Sequence, residues 1–100
     1  LITKNNVSSK VSDISVGPNS IQVFPNPIQD RFYIYMRNMA STKAGINLYD
    51  AVGRLVYSRT VPLVNGSEYL EVPSGKLASG VYFIKIWGDN GIKFVKKLLK

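Results

Sequence analysis

Apolar residues in this chain recur at every second position, and no stretch of helical length keeps a period of 3.6 residues. Phe32, Ile34 and Met36 share one face of a segment whose other face carries Tyr33, Tyr35 and Arg37; Ala44, Ile46 and Leu48 repeat the pattern, and so do Tyr82, Ile84 and Ile86. Alternation of this kind is that of half-buried strands, because successive side chains of a strand point to opposite faces. Helix content is therefore expected to be near zero.

Turn residues divide the alternation into short pieces. Ile21–Phe24 is a strand ended by Pro25-Asn26-Pro27, since neither proline offers the amide that a ladder needs. Strands are expected at Arg31–Arg37, Ala44–Tyr49, Leu55–Val61, Tyr69–Val72, Val81–Trp87 and Ile92–Leu99. Asp50-Ala51-Val52-Gly53 joins two of them into a hairpin over 44–61, with Gly53 left-handed in a bulged turn. Asn65-Gly66, Pro73-Ser74-Gly75 and Asp89-Asn90-Gly91 mark further turns, and 81–99 forms a second hairpin. About seven short strands with turn signals every 8–12 residues predict an all-β, immunoglobulin-like antiparallel β-sandwich. A chain of 100 residues with 45% hydrophobic and only 19% charged residues can fill one such core. Residues 1–20, rich in Ser, Asn, Lys and Val without a sustained period, are expected to be a linker from something tethered upstream, with one edge strand near 11–16; 21–100 is the folded domain. The chain begins at Leu1 without a signal peptide and reads as the C-terminal piece of a longer protein.

The residues that are missing narrow the chemistry. The chain has no Cys and no His, so thiolate nucleophiles, cysteine and histidine zinc sites and histidine general bases are out of reach. Of the six carboxylates, Glu68 and Glu71 stand an odd number of positions apart on one strand and so face opposite ways, while Asp30, Asp50 and Asp89 sit at turns for backbone reasons. Asp89-Asn90-Gly91 lacks the spacing of a calcium loop. No enzyme activity, metal or cofactor is expected. No apolar run is long enough for a membrane-spanning helix.

The net charge of +7 raises the question of an anionic partner, and Lys93, Lys96, Lys97 and Lys100 crowd the end of the chain. Phe83, Lys85 and Trp87 share a strand face, as a nucleic-acid binder would require, yet no basic groove interleaved with aromatics accompanies them, and a nucleic-acid partner is not expected. Tyr33, Tyr35 and Trp87 could instead form a planar sugar-binding platform. That is the alternative reading, a non-catalytic carbohydrate-binding sandwich of a secreted hydrolase. The plainer reading of these rings is cross-strand packing.

Four blocks, in order, carry a resemblance. Val23-Phe24-Pro25-Asn26-Pro27 resembles the "vyPNP" opening of the type A C-terminal sorting domains of the type IX (Por) secretion system, with Phe where Tyr is common. Ile46–Arg54 is similar to their "v-x-l-y-d-x-x-G-r" hairpin, Leu77–Ile86 to "L-x-x-G-x-Y-f-l-k-l", and Lys93–Lys100 to their basic-apolar last strand. The resemblance spans 21–100. It implies a secretion signal that carries an attached cargo through the periplasm and across the outer membrane to the cell surface or beyond. It also implies recognition by outer-membrane translocon components, and removal of the domain by a sortase-like cysteine protease. The residues expected to be recognised are Pro25, Asn26, Pro27, Asp50, Gly53, Gly80, Tyr82, Lys93, Lys96, Lys97 and Lys100.

Overall fold

The computed structural model describes residues 21–89, 91 and 93–100. The linker and edge strand expected within 1–20 lie outside the described residues. The seven strands among the described residues are β1 (Ile21–Phe24), β2 (Arg31–Met36), β3 (Lys43–Asp50), β4 (Leu55–Pro62), β5 (Glu68–Pro73), β6 (Val81–Gly88) and β7 (Lys93–Leu99). Each agrees with its sequence expectation to within a residue or two, and no helix is found among the described residues.

The strands form two antiparallel sheets, one of order β1–β2–β5 and one of order β4–β3–β6–β7. Their inner faces meet in one core. Ile21, Val23, Phe32, Ile34, Met36, Leu70 and Val72 come from the smaller sheet, and Ala44, Ile46, Leu48, Val61, Tyr82, Ile84, Ile86 and Leu98 from the larger. This is the alternation of the sequence made spatial, since a one-residue slip of any of these strands would turn its whole apolar set to solvent.

The β3–β4 hairpin closes as its residues require. Gly53 N–H donates to Asp50 O at 3.0 Å, Asp50 N–H to Arg54 O at 2.9 Å, and Gly53 has φ +88°. Register shifts at Leu48/Tyr49, where Tyr49 pairs with Leu55 and Leu48 with Tyr57. The unpaired Val56 is a bulge, so Val56 and Tyr57 both reach the core although they are neighbours in sequence. Asn65 and Gly66 both have positive φ, and Val64 and Ser67 exchange two backbone bonds of 3.0 Å, which makes a two-residue hairpin turn. At the 88–91 turn Gly91 N–H donates to Gly88 O at 3.2 Å; Asn90 and Ile92 lie outside the described residues.

Candidate functional site: the tied end of the sandwich

Three segments far apart in sequence meet at one end of the sandwich: the loop after β1, the loop between β5 and β6, and the end of β7. The ladder of β6 and β7 runs one pair beyond the strands. Gly80 N–H donates to Lys100 O at 3.0 Å and Lys100 N–H to Gly80 O at 2.9 Å. Because hydrogen-bonded pairs alternate along an antiparallel ladder, the pairs 82/98, 84/96 and 86/94 bond inward. Lys93, Val95, Lys97 and Leu99 therefore turn their backbone groups away from β6, along the open edge of the sheet.

The Pro25-Asn26-Pro27 loop covers one end of that edge. Asn26 Oδ1 accepts the Leu99 N–H at 3.0 Å, and its amide nitrogen reaches the Lys97 carbonyl at 3.4 Å. The Ile28 N–H donates to Leu99 O at 2.6 Å, and the Ile28 side chain is buried. One asparagine side chain thus pairs with the edge as a neighbouring strand would, and the flanking prolines, with no N–H of their own, stop the loop from continuing as that strand. Both prolines are exposed.

The β5–β6 loop is tied to the same end. Ser74, the one buried polar residue of the described chain, donates its hydroxyl to Gln29 O at 2.6 Å and its N–H to Asp30 O at 2.8 Å. Lys100 lays its ammonium into the loop and donates to Ser74 O at 2.7 Å, Leu77 O at 2.6 Å and Gly75 O at 3.3 Å. Tyr82 is buried and its hydroxyl donates to Ala78 O at 2.6 Å. Beside it the Asp50–Gly53 turn and residues 78–82 border a shallow cleft of about 330 Å³. Asp50 Oδ1 accepts the N–H groups of Val52 at 3.1 Å and Arg54 at 2.9 Å, and Oδ2 accepts Arg54 Nε at 3.0 Å. The Arg54 N–H above all holds the Asp50 carboxyl below the usual aspartate range, against a smaller opposing effect of burial.

The residues picked out from the sequence therefore fall into groups. Pro25, Asn26, Pro27, Asp50, Gly53, Gly80, Tyr82, Lys97 and Lys100 gather at this end. Lys93 lies at the other end of β7, opposite Trp87, about 20 Å away at strand rise. Lys96 stands opposite Ile84 on the inward side and is half-buried, whereas Lys97 is exposed. Lys100 is no solvated charge, because its ammonium is occupied by loop carbonyls. Ile28, Ser74 and Leu99 belong to the tied end but carry no sequence signal beyond an ordinary apolar or turn residue.

The aromatic platform separates in the same way. Tyr33 and Tyr35 sit on the outer face of the smaller sheet with Phe24 and Tyr69, and Trp87 is on the larger sheet. Tyr33 and Tyr69 stack on each other at 5.7 Å and Phe24 tilts against Tyr33 at 5.8 Å, so these rings are one another's partners. Among the described residues no three metal-ligating side chains converge, and no helix is long and apolar enough to cross a membrane.

The two sheets define an immunoglobulin-like β-sandwich. The chain is similar in fold to the crystal structure of a DUF3244-family immunoglobulin-like sandwich from Bacteroides vulgatus, with TM-score 0.68 and 20% identity over 81% of this chain and 84% of that one. The family is given by sequence. The model of the secretion system C-terminal sorting domain matches residues 22–100, and the chain belongs to that family, the sorting domains of the type IX (Por) secretion system. It is also similar to an endo-acting ulvan lyase of Formosa agariphila, at 28% identity over 92% of this chain; the chain spans 17% of that protein's length.

Proposed function

We propose that the tied end and the adjoining open edge of β7 are what the outer-membrane translocon recognises, with the domain acting as an address label and doing no chemistry itself. Its cargo, joined upstream, would cross the periplasm first. A sortase-like cysteine protease would then cut within 1–20, and the cargo would stay at the surface or be released. The match to a small share of a much longer lyase supports a domain attached to a larger partner. The lack of Cys and His supports a substrate of processing more than a catalyst.

The observation that carries the reading is the Asn26–Leu99 contact. It covers the end of the β7 edge and leaves the outward backbone groups of Lys93 and Val95 and the Lys97 N–H without a strand beside them. An open edge flanked by lysines is protected against self-association yet offers a template for an added strand. Val95→Pro tests this. The Val95 N–H points outward, so proline there removes no ladder bond but blocks strand addition. A reporter fused to the variant should stay in the periplasm while the isolated variant keeps a cooperative melt. Delivery of a folded Val95→Pro fusion at the normal rate would eliminate edge pairing as the mode of recognition.

A further inference from the structure

The outer face of the larger sheet carries a second set of chemistry, away from the tied end. Cross-strand registry sets Thr60, Gly45, Trp87 and Lys93 in one row and Ser58, Asn47, Lys85 and Val95 in the next, with Tyr49 and Phe83 in a third. A Cβ at position 45 would collide with the indole, so only glycine lets Trp87 lean across β3. The ring forms a wall between two clefts of about 270 Å³ each, one lined by Asn47, Lys85 and Lys93, the other by Lys43 and Thr60. Lys85 Nζ stands 6.0 Å from the indole centroid.

The charges on this face are mainly positive, with Asp89 at the border of the second cleft as the one acidic group lining either cleft. Lys43, Lys85 and Lys93 form no ion pair with a described carboxylate; the described pairs are Arg31–Glu71 and Arg54–Asp50. Asp89 borders the second cleft, but its two oxygens already accept the hydroxyls of Ser41 and Thr42. The neutral polar groups are ordered. Asn47 Oδ1 accepts Ser58 Oγ at 2.7 Å, and Asn47 Nδ2 donates to Tyr49 OH at 2.8 Å. Each side chain then keeps a donor to spare, the second amide hydrogen of Asn47 and the phenolic hydrogen of Tyr49.

We propose that this face binds an acidic polysaccharide, with one sugar ring packed on Trp87, its carboxylate or sulfate held by Lys85 and Lys93, and its hydroxyls met by Asn47 and Tyr49. An indole gives an apolar surface matched to a pyranose face, fixed amide and phenol donors suit hydroxyls, and unpaired ammonium groups supply the charge. Each cleft is at the small end of ligand sites, which fits single rings of a longer chain more than a compact ligand. A nucleic acid would call for successive aromatics along a basic groove; Phe83 shares this strand face but lines neither cleft, and Trp87 is the one aromatic ring that does.

Trp87 is the chain's one tryptophan, so its fluorescence reports this site alone. The whole chain should be titrated with an oligogalacturonate, a sulfated heparin-type oligosaccharide, a neutral malto-oligosaccharide, inorganic sulfate and a single-stranded oligonucleotide. Saturable binding of either acidic saccharide is expected, roughly tenfold or more tighter than the neutral sugar, sulfate or oligonucleotide. The double variant Lys85→Gln/Lys93→Gln, which keeps the indole, should bind at least about tenfold more weakly, while Tyr69→Ala on the opposite sheet should bind as before. Calorimetry on Trp87→Ala should likewise register a loss. The proposal is overturned if neither acidic saccharide binds, if sulfate, the neutral sugar or the oligonucleotide binds as tightly, or if the lysine pair can be removed without effect.

Discussion

The Asn26 carboxamide and the Leu99 backbone meet across 73 positions of sequence, Oδ1 accepting the Leu99 N–H at 3.0 Å. This contact makes the proline-flanked loop and the last strand one structural unit. Asn26→Ala removes an acceptor from a partly solvated edge, where water can replace it, and should cost about 1 kcal/mol. Asn26→Asp keeps the acceptor for Leu99 but sets a carboxylate oxygen toward the Lys97 carbonyl, and should be no better than alanine. Hydrogen exchange is the sharpest readout, since the Leu99 amide should lose protection in Asn26→Ala while amides of the β3–β4 hairpin do not. Unchanged protection at Leu99 would mean that the loop does not hold the strand.

Two glycines with similar backbone angles should respond differently. Gly53 has φ +88° and open space where a Cβ would stand; Gly66 has φ +76°, and its Cβ would run into the Met39 carbonyl. Gly53→Ala therefore meets only the left-handed penalty, about 1 kcal/mol. Gly66→Ala meets that penalty and a backbone clash, and also disturbs the Met39 N–H bond to Gly66 O, 3.0 Å long. It should cost about 2–4 kcal/mol. Urea denaturation of both variants decides the order, and a Gly53 variant less stable than its Gly66 counterpart would contradict the two turn geometries.

Acid should lower the stability of the domain within a defined window. The Asp50 carboxyl is held below the usual aspartate range chiefly by the Arg54 N–H, and that of Asp89 chiefly by the Ser41 hydroxyl, with Thr42 next. A depressed folded-state pKa contributes stability that is full above the unfolded value, near 4, and fades as pH falls through the lower folded value. With no histidine in the chain, no side chain of ordinary pKa titrates between about pH 5 and 8. The melting temperature should thus be nearly level from neutrality to about pH 5 and drop below about pH 4. Asp50→Asn and Asp89→Asn should each be less stable at pH 7 and flatten the acid limb. A mid-range transition near pH 6 would point to a group other than these two.

The strands and the core were legible because alternation determines them locally. Phe32, Ile34 and Met36 could face nowhere but inward once their neighbours were Tyr, Tyr and Arg, and Asp50 with Gly53 specified their own turn. The tied end was not legible, since it depends on which strand lies beside which. Nothing near Asn26 in sequence indicates that the edge of β7 will be its neighbour, and Ser74 reads as a plain turn residue until Gln29 and Asp30 are brought against it. The aromatics failed in the same way: alternation set Tyr33, Tyr35 and Trp87 outward, but only sheet membership separates the first two from the third.

The terminal lysines divide by the same logic, and export should divide with them. Lys100 has its ammonium on the carbonyls of Ser74, Gly75 and Leu77, so Lys100→Gln gives up charge-assisted bonds in a partly buried setting and should cost about 1–3 kcal/mol. Lys93 and Lys97 are exposed and Lys96 half-buried, so replacing these three by Gln with Lys100 retained should change stability by no more than about 1 kcal/mol in all. A reporter fused to the Lys100→Gln variant would fail to be exported only as far as the domain unfolds, and its export should recover at lower temperature. The triple variant is the informative one. It should remain folded and still leave its reporter in the periplasm at every temperature, because the charges beside the open edge are then missing from the surface proposed for recognition. Surface delivery of the folded triple variant at the normal rate would reduce Lys93, Lys96 and Lys97 to guards against aggregation. Recognition would then rest on the backbone edge of β7, the Pro25-Asn26-Pro27 loop or the Asp50–Gly53 turn.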